Sequence, residues 1–233
     1  RLIARERSAR YAWIRLDASG LGTTIEAGQF VLVRDSEDPC LPRAFSVLVS
    51  DDQTLELFVK SEGRVREKLS SAPFETVFQI RGPYGVPYID KISKPRSYLL
   101  VGGGSGIAPL LSFQTQHPEL VSGTVYGFRT ADVCDLLPSK SLEIEELGGA
   151  LADERVRSVW KPGLGIIACG PEPMLRALAR EHRNRPGIYV SLEARIGCGV
   201  GSCLGCSIPT TMGTQRICHD GPLFALHELP WLE

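Results

Sequence analysis

The chain has 233 residues, 43% hydrophobic and 23% charged, with a formal net charge of −1. That balance is ordinary for a globular protein with a buried core, and it gives no electrostatic reason to bind nucleic acid or an anionic membrane. No apolar run approaches the roughly 20 residues needed to cross a bilayer, and seven cysteines, an odd number with no leader pattern ahead of them, favour a reducing, cytoplasmic setting over a disulfide framework.

From residue 1 to about 92 the sequence predicts short strands over 10–16, 29–34, 44–49, 55–60 and 77–81, rich in β-branched and aromatic residues. Turn signals at Ser19-Gly20, Asp51-Asp52 and Gly82-Pro83 separate them, and one short helix is expected over 65–71. The spacing predicts a small antiparallel β-barrel. The pattern changes after Lys94-Pro95. The apolar runs 97–101, 123–128 and 165–169 read as buried parallel strands, followed by a helix over 172–183 and a last strand over 187–191. Strands alternating with helices predict a parallel α/β sheet. From Leu192 the chain is rich in glycine and cysteine, and its apolar tail is expected to pack this region onto the body. The expected division is 1–94, 95–191 and 192–233.

Four cysteines, Cys198, Cys203, Cys206 and Cys218, are separated by gaps of four, two and eleven residues. The first three follow C-x4-C-x2-C, the spacing that wraps a [2Fe–2S] cluster in plant-type ferredoxins. Glycines at 197, 199, 201 and 205 allow the backbone to approach closely. A structural zinc site usually uses two C-x2–4-C knuckles, and only one such pair is present. Cys40 and Cys134 read as small buried hydrophobes.

Three further segments suggest cofactor contacts. Gly102-Gly103-Gly104-Ser105-Gly106 follows a strand and precedes a helix, the context in which glycines and free helix N–H groups receive a phosphate; the alternative is a glycine turn without a ligand. In Arg43-Ala44-Phe45-Ser46 the arginine suits a diphosphate and the serine a flavin, unless Arg43 simply pairs with a carboxylate. Gly63 stands before the short helix, and Cys169-Gly170-Pro171 stands at a strand end, where ligands of parallel sheets gather. Cys169 could equally be a buried cysteine before a proline helix start.

In this order the segments resemble the electron-transfer subunit family of dihydroorotate dehydrogenase B, within the ferredoxin–NADP reductase superfamily, from about residue 10 to 233. The family's FAD motif R-x-F/Y-S/T is matched by Arg43, Ala44, Phe45 and Ser46. Leu57, Phe58, Val59, Gly63 and Arg64 resemble its second FAD segment, although Gly63-Arg64-Val65-Arg66 lacks the usual Thr. Arg81-Gly82-Pro83-Tyr84-Gly85 matches its R-G-P-x-G link. Gly103, Gly104 and Gly106, with Cys169, Gly170 and Pro171, fall in its two nicotinamide motifs. Its S-L-E-x-x-M-x-C-G-x-G-x-C-x-x-C run is matched by residues 191–206, with Ile196 at the Met position, and its K-D-G-P-V-F by residues 219–224. An acidic, glycine-containing loop that the family places before the strand 165–169 has no counterpart in residues 130–165.

The resemblance implies that electrons pass between NAD(H), FAD and a [2Fe–2S] cluster held by Cys198, Cys203, Cys206 and Cys218. It implies a catalytic partner, an FMN-containing dihydroorotate dehydrogenase of pyrimidine biosynthesis, assembled as two of each subunit. No side chain need act as an acid or base, and Cys169 is no nucleophile. The same architecture resembles small subunits of NADH-dependent ferredoxin:NADP⁺ oxidoreductases, sulfide dehydrogenases and hydrogenases. The short stretch 130–165 also leaves open a redox-binding protein that has lost nicotinamide turnover.

Overall fold

A computed structural model describes residues 1–35, 41–93, 97–128, 136, 144–146 and 150–232. The first half is an antiparallel sheet of β1 (Leu2–Arg7), β2 (Tyr11–Asp17), β3 (Phe30–Asp35), β4 (Arg43–Ser50), β5 (Thr54–Lys60) and β6 (Phe78–Tyr84). Their order is β1-β2-β5-β4-β3-β6. Alternation of side chains puts Ala12, Ile14 and Leu16 of β2 on the same inner face as Leu55, Leu57 and Val59 of β5, in a core shared with Val31, Val33 and Phe45. Helix α1 (Arg64–Ser71) seals this core with Val65 and Leu69. The sheet curls without closing as a continuous ladder. Leu2 exchanges backbone hydrogen bonds with Thr76 at 3.0 Å and Glu75 at 2.9 Å, just ahead of β6, so its two edges draw together as in a barrel.

A short helix, α2 (Tyr88–Lys91), leads to the second half. There the chain runs through β7 (Tyr98–Gly103), α3 (Ile107–Gln116), β8 (Val121–Phe128), β9 (Ile144–Glu146), α4 (Ala150–Val159), β10 (Gly165–Cys169), α5 (Glu172–His182) and β11 (Ile188–Ser191). The final stretch adds β12 (Ser207–Thr210), β13 (Gly213–Arg216), α6 (Ile217–Asp220) and β14 (Leu223–Ala225). The second sheet has the order β14-β11-β10-β7-β8-β9, parallel throughout except for β14. Every residue of β7, β10 and β11 is buried, as expected of central parallel strands covered on both faces. Residues 130–165, which lack the expected acidic loop, nonetheless supply β9 and α4. Cys40 and Cys134 lie outside the described residues.

The two halves share a core. Tyr11 and Phe58 of the antiparallel sheet stack at 5.2 Å, and the Tyr11 ring meets Phe128 of β8 edge-on at 6.1 Å. The Gln116 amide accepts from the Ala27 N–H at 2.8 Å and donates to the Ile25 carbonyl at 3.1 Å. The C-terminal tail behaves as its composition predicts: Leu226, Leu229 and Leu232 pack in one core with Ile166, Ala168, Cys206 and Cys218. Among the described residues no helix is long and apolar enough to cross a membrane.

Candidate functional site

Cys198 and Cys203 lie on the loop after β11, Cys206 immediately precedes β12, and Cys218 lies in α6. The β12–β13 hairpin returns the chain on itself, so Cys206 and Cys218 adjoin, with the Cys218 N–H directed at Cys206 Sγ at 3.4 Å. Left-handed backbone at Gly199 (φ 81°), Gly201 (φ 79°) and Leu204 (φ 58°) coils the loop. At Gly199 a side chain is also excluded by space, because a Cβ would stand 2.8 Å from the Tyr84 ring. The coil turns amides inward: Gly201 N–H donates to Cys218 Sγ at 3.2 Å, and the amides of Cys203 and Val200 donate to Cys198. These bonds, the Cys203 amide first, draw the Cys198 thiol down to about 5. Burial, then the neighbouring Cys206 thiol, push Cys218 up to about 12.

The thiols therefore stand as two pairs, Cys198 with Cys203 and Cys206 with Cys218. Among the described residues no three His, Cys, Asp or Glu side chains converge tightly enough to hold one ion. A mononuclear zinc site needs its ligands around a single centre, whereas a two-iron cluster spreads four cysteines over two irons. The donor set, its pairing and the inward N–H groups fit the second. Arg216 clasps the site from outside. Its Nε and Nη2 reach the two carboxylate oxygens of Asp220 at 3.0 and 3.1 Å, and Asp220 is held well below the usual carboxylate range by that contact.

Beside this region opens a cleft of about 710 Å³, its mouth included. One wall is the antiparallel sheet, with Ala44, Phe45 and Ser46 of β4 and Phe58, Val59 and Lys60 of β5. The opposite wall is Cys169 at the end of β10 and Ser191 at the end of β11. Ile196 and Ile217 close the side nearest Cys198 and Cys218. The Phe58 ring, three serine hydroxyls (Ser46, Ser105, Ser191) and the Arg66 guanidinium fit a flavin.

At the second sheet's carboxyl edge, β7 is followed by β8 on one side, while β10 lies on the other. Such a reversal is where open α/β sheets take ligands. The two nicotinamide-motif segments meet there. Cys169 pairs with Gly102 across the ladder, and a Cβ on Gly106 would stand 2.5 Å from the Cys169 carbonyl oxygen. A Cβ on Gly103 would stand 2.9 Å from Pro171 Cδ, and one on Gly170 would stand 3.0 Å from the Gly103 nitrogen. Gly104 takes a left-handed φ of 57°. These glycines are thus needed for loop to fit against loop. Burial raises the Cys169 thiol strongly and the nearby Glu193 carboxylate adds to it, which makes the thiol a poor nucleophile.

Other expected positions lie apart from the cleft. Arg43 is exposed at the start of β4 and donates to the Leu41 carbonyl at 3.0 Å. Leu57 is fully buried in the core of the first sheet, leaving only its backbone to offer. Gly63 (φ 91°) and Arg64 are exposed at the start of α1, which has no side-chain cap. The sequence reading missed Lys60, Arg66, Ser191 and Glu193 as cleft residues, and it named Ser105 only within the glycine loop expected to receive a phosphate. Their only sequence signals were the Ser191-Leu192-Glu193 start of the cysteine run and the arginines standing where a Thr was expected.

Residues 193–230 match the iron–sulfur cluster binding domain of dihydroorotate dehydrogenase B. The chain is 32% identical to the dihydroorotate dehydrogenase B (NAD⁺) electron transfer subunit of Lysinibacillus sphaericus, covering 84% of each protein. It is 31% identical to the corresponding subunit of Geobacillus kaustophilus, covering 88% of this chain and 86% of that one. Among solved structures, an NADH-dependent reduced ferredoxin-NADP oxidoreductase, studied for flavin-based electron bifurcation, superposes with a TM-score of 0.82 at 23% identity. That match covers 99% of this chain and 89% of the other. Phthalate dioxygenase reductase, described as transferring electrons from pyridine nucleotides to [2Fe–2S], gives 0.61 at 18% identity, covering 83% and 68%. The fold is that of the ferredoxin–NADP reductases.

Proposed function

The chain belongs to the family of dihydroorotate dehydrogenase B electron transfer subunits, and from that premise we propose that it relays electrons between NAD(H) and a catalytic subunit by way of bound FAD and a [2Fe–2S] cluster. One observation carries the reading: a single cleft is walled by the β4–β5 segment, by the end of β10 and by residues adjoining the cysteine pairs. A flavin supplies the conversion between two-electron nicotinamide chemistry and the one-electron chemistry of an iron–sulfur centre.

The chain's own residues prepare for that conversion. Phe58, Ala44, Ile196 and Ile217 give the cleft apolar lining, while Phe45 and Val59 at its edge pack into the core of the first sheet; Ser46 offers a hydrogen bond, and Arg43 and Arg66 offer positive charge to the anionic parts of FAD. Gly103, Gly104 and Gly106, packed on Gly170 and Pro171, leave the strand ends open for a nicotinamide beside Cys169. Cys198, Cys203, Cys206 and Cys218 would hold the irons, two cysteines to each. Cys203 is exposed, so this edge of the cysteine loop lies at the surface, where a partner can take up single electrons. Residues 1–94, 95–191 and 192–233 would serve as flavin, nicotinamide and cluster regions, the last lending β14 to the nicotinamide sheet.

The partner in this reading is an FMN-containing dihydroorotate dehydrogenase in cytoplasmic pyrimidine synthesis, joined as two of each subunit. The test is co-expression with that subunit, followed by light scattering and assay of dihydroorotate-dependent NAD⁺ reduction. A four-chain complex that reduces NAD⁺ only when this chain is present is the expected result. A cofactor-loaded chain that neither joins the catalytic subunit nor confers NAD⁺ reduction overturns the assignment.

A further inference from the structure

The cleft contains one carboxylate among its described residues, Glu193, and the electron relay gives it no role. Glu193 follows the end of β11 by two residues, its side chain open to solvent at the mouth while its neighbours Leu192 and Ala194 line the same wall. Polar groups from five segments line the same cleft. Arg66 comes from α1, Lys60 from β5, Ser105 from the glycine loop, Cys169 from β10 and Ser191 from β11. Behind them, the phenol of Tyr88 on α2 is fully buried beside Ser191.

Charge conservation then poses a question. Hydride from NADH brings two electrons and one proton into the cleft. A cluster ligated by four thiolates takes up electrons singly and without a proton. Each pair of electrons passed on therefore leaves one proton on the flavin, and it has to reach water. Lys60 and Arg66 are cations with no acceptor site, and Lys60 is already bound to Glu62 at 2.6 Å. The Cys169 thiol keeps its own proton, because burial and the facing Glu193 carboxylate oppose ionisation. The serine hydroxyls are too weakly basic to hold a proton. Glu193 alone combines a basic oxygen with contact to both cleft and solvent. Its walls raise its carboxyl above the ordinary range, with Arg66 opposing, which brings it nearer the pH at which it can both take and release a proton.

We propose that Glu193 is the proton outlet of the cleft. As the reduced flavin returns its two electrons one at a time to the iron–sulfur centre, its proton passes to the Glu193 carboxylate and from there to water. In the reverse direction the same carboxyl group supplies the proton. The proposal rests on the flavin reading above, and it assigns an acid–base role where the family resemblance required none.

The test compares parent, Glu193→Gln and Glu193→Asp proteins, each purified with flavin and iron quantified. The first readout needs no turnover: the visible spectrum of oxidised bound flavin is titrated against pH. The parent shows a shift with its midpoint above the ordinary carboxylate range, Glu193→Asp shows one at a displaced midpoint, and Glu193→Gln shows none. The second is anaerobic stopped-flow kinetics of flavin reoxidation through the cluster, with ferricyanide as terminal one-electron acceptor. Glu193→Gln slows it by about 10²-fold, the lower end of general acid–base contributions, and flattens its pH profile, while Glu193→Asp restores much of the rate. Flavin-loaded Glu193→Gln protein with the parent's titration and reoxidation profile overturns the proton role alone. A parent protein that takes up no flavin overturns both this role and the reading beneath it.

Discussion

Replacing Gly106 with alanine drives a methyl group into a neighbouring strand end. The backbone there has φ −65°, which alanine adopts without strain, so the whole cost is steric. The new Cβ would stand 2.5 Å from the Cys169 carbonyl oxygen, 2.6 Å from its carbon and 2.7 Å from the Gly170 nitrogen. Optimal carbon contacts are about 3.5–4.0 Å, so the two loops must part by roughly 1 Å. All three obstacles are backbone atoms, and no side-chain rotation relieves them. Overpacking of this kind costs about 1–3 kcal/mol, and rigid backbone on both sides places this case near about 3 kcal/mol. For a chain of this length each kcal/mol lowers Tm by roughly 2–4 °C, giving a fall of about 6–12 °C. The assay is thermal unfolding by circular dichroism, paired with NADH titration of the FAD-loaded protein, whose affinity falls because the nicotinamide crevice is prised open. Gly123→Ala is the control, since its nearest neighbour, Leu99 Cδ1, would be 3.6 Å away. A Gly106→Ala protein that melts within about 1 °C of the parent with unchanged NADH affinity refutes the reasoning.

Three other perturbations address separate parts of the account. Cys203→Ser removes the cluster's visible absorption and leaves that of the flavin; persistence of the cluster spectrum excludes Cys203 as a ligand. Arg43→Ala and Arg66→Ala each remove a charge-assisted contact worth about 1.5–3 kcal/mol, weakening FAD binding roughly 10- to 150-fold by fluorescence titration. Unaltered affinity in either variant removes that residue from the site. His182 is buried with neither ring nitrogen hydrogen-bonded, and the Glu181 carboxylate, engaged by Arg157, stays 4.0 Å away. Burial first, then Arg185 and Arg157, hold its pKa below the usual value. The unfolded chain therefore takes up a proton before the folded one does: stability is full above about pH 6.5 and declines as pH falls below it. His182→Leu abolishes that decline, so urea midpoints of the variant at pH 5.5 and 7.5 converge while those of the parent differ. A variant that loses stability as steeply as the parent contradicts the assignment.

The elements legible in the sequence are those whose surroundings are uniform. β7, β10 and β11 are buried on both faces and appear as unbroken apolar runs, and their predicted bounds fall within two residues of those observed. β1 escaped because it is an edge strand with the charged run Arg5-Glu6-Arg7, where pairing with β2 decides the conformation rather than its own pattern. α4 escaped because its charged sequence ALADERVRSV has no strong apolar stripe. The β12–β13 hairpin has strands of only four residues each, too short for alternation to register, although it is what carries Cys218 back to Cys206. At the site the same contrast holds. The cysteine spacing is local in sequence and identifies its chemistry directly. The cleft is assembled from side chains on separate elements, so Arg66, Ser105 and the Ser191-Leu192-Glu193 segment share no sequence neighbourhood to betray them.

The central claim is an unbroken path from NADH through flavin to the paired cysteines. Its most direct test is anaerobic NADH titration of the cofactor-loaded chain, followed by visible absorption and low-temperature electron paramagnetic resonance. Flavin bleaching accompanied by the signal of a reduced [2Fe–2S] centre is the predicted result. A cluster that dithionite reduces and NADH does not, with flavin bound, would contradict the claim.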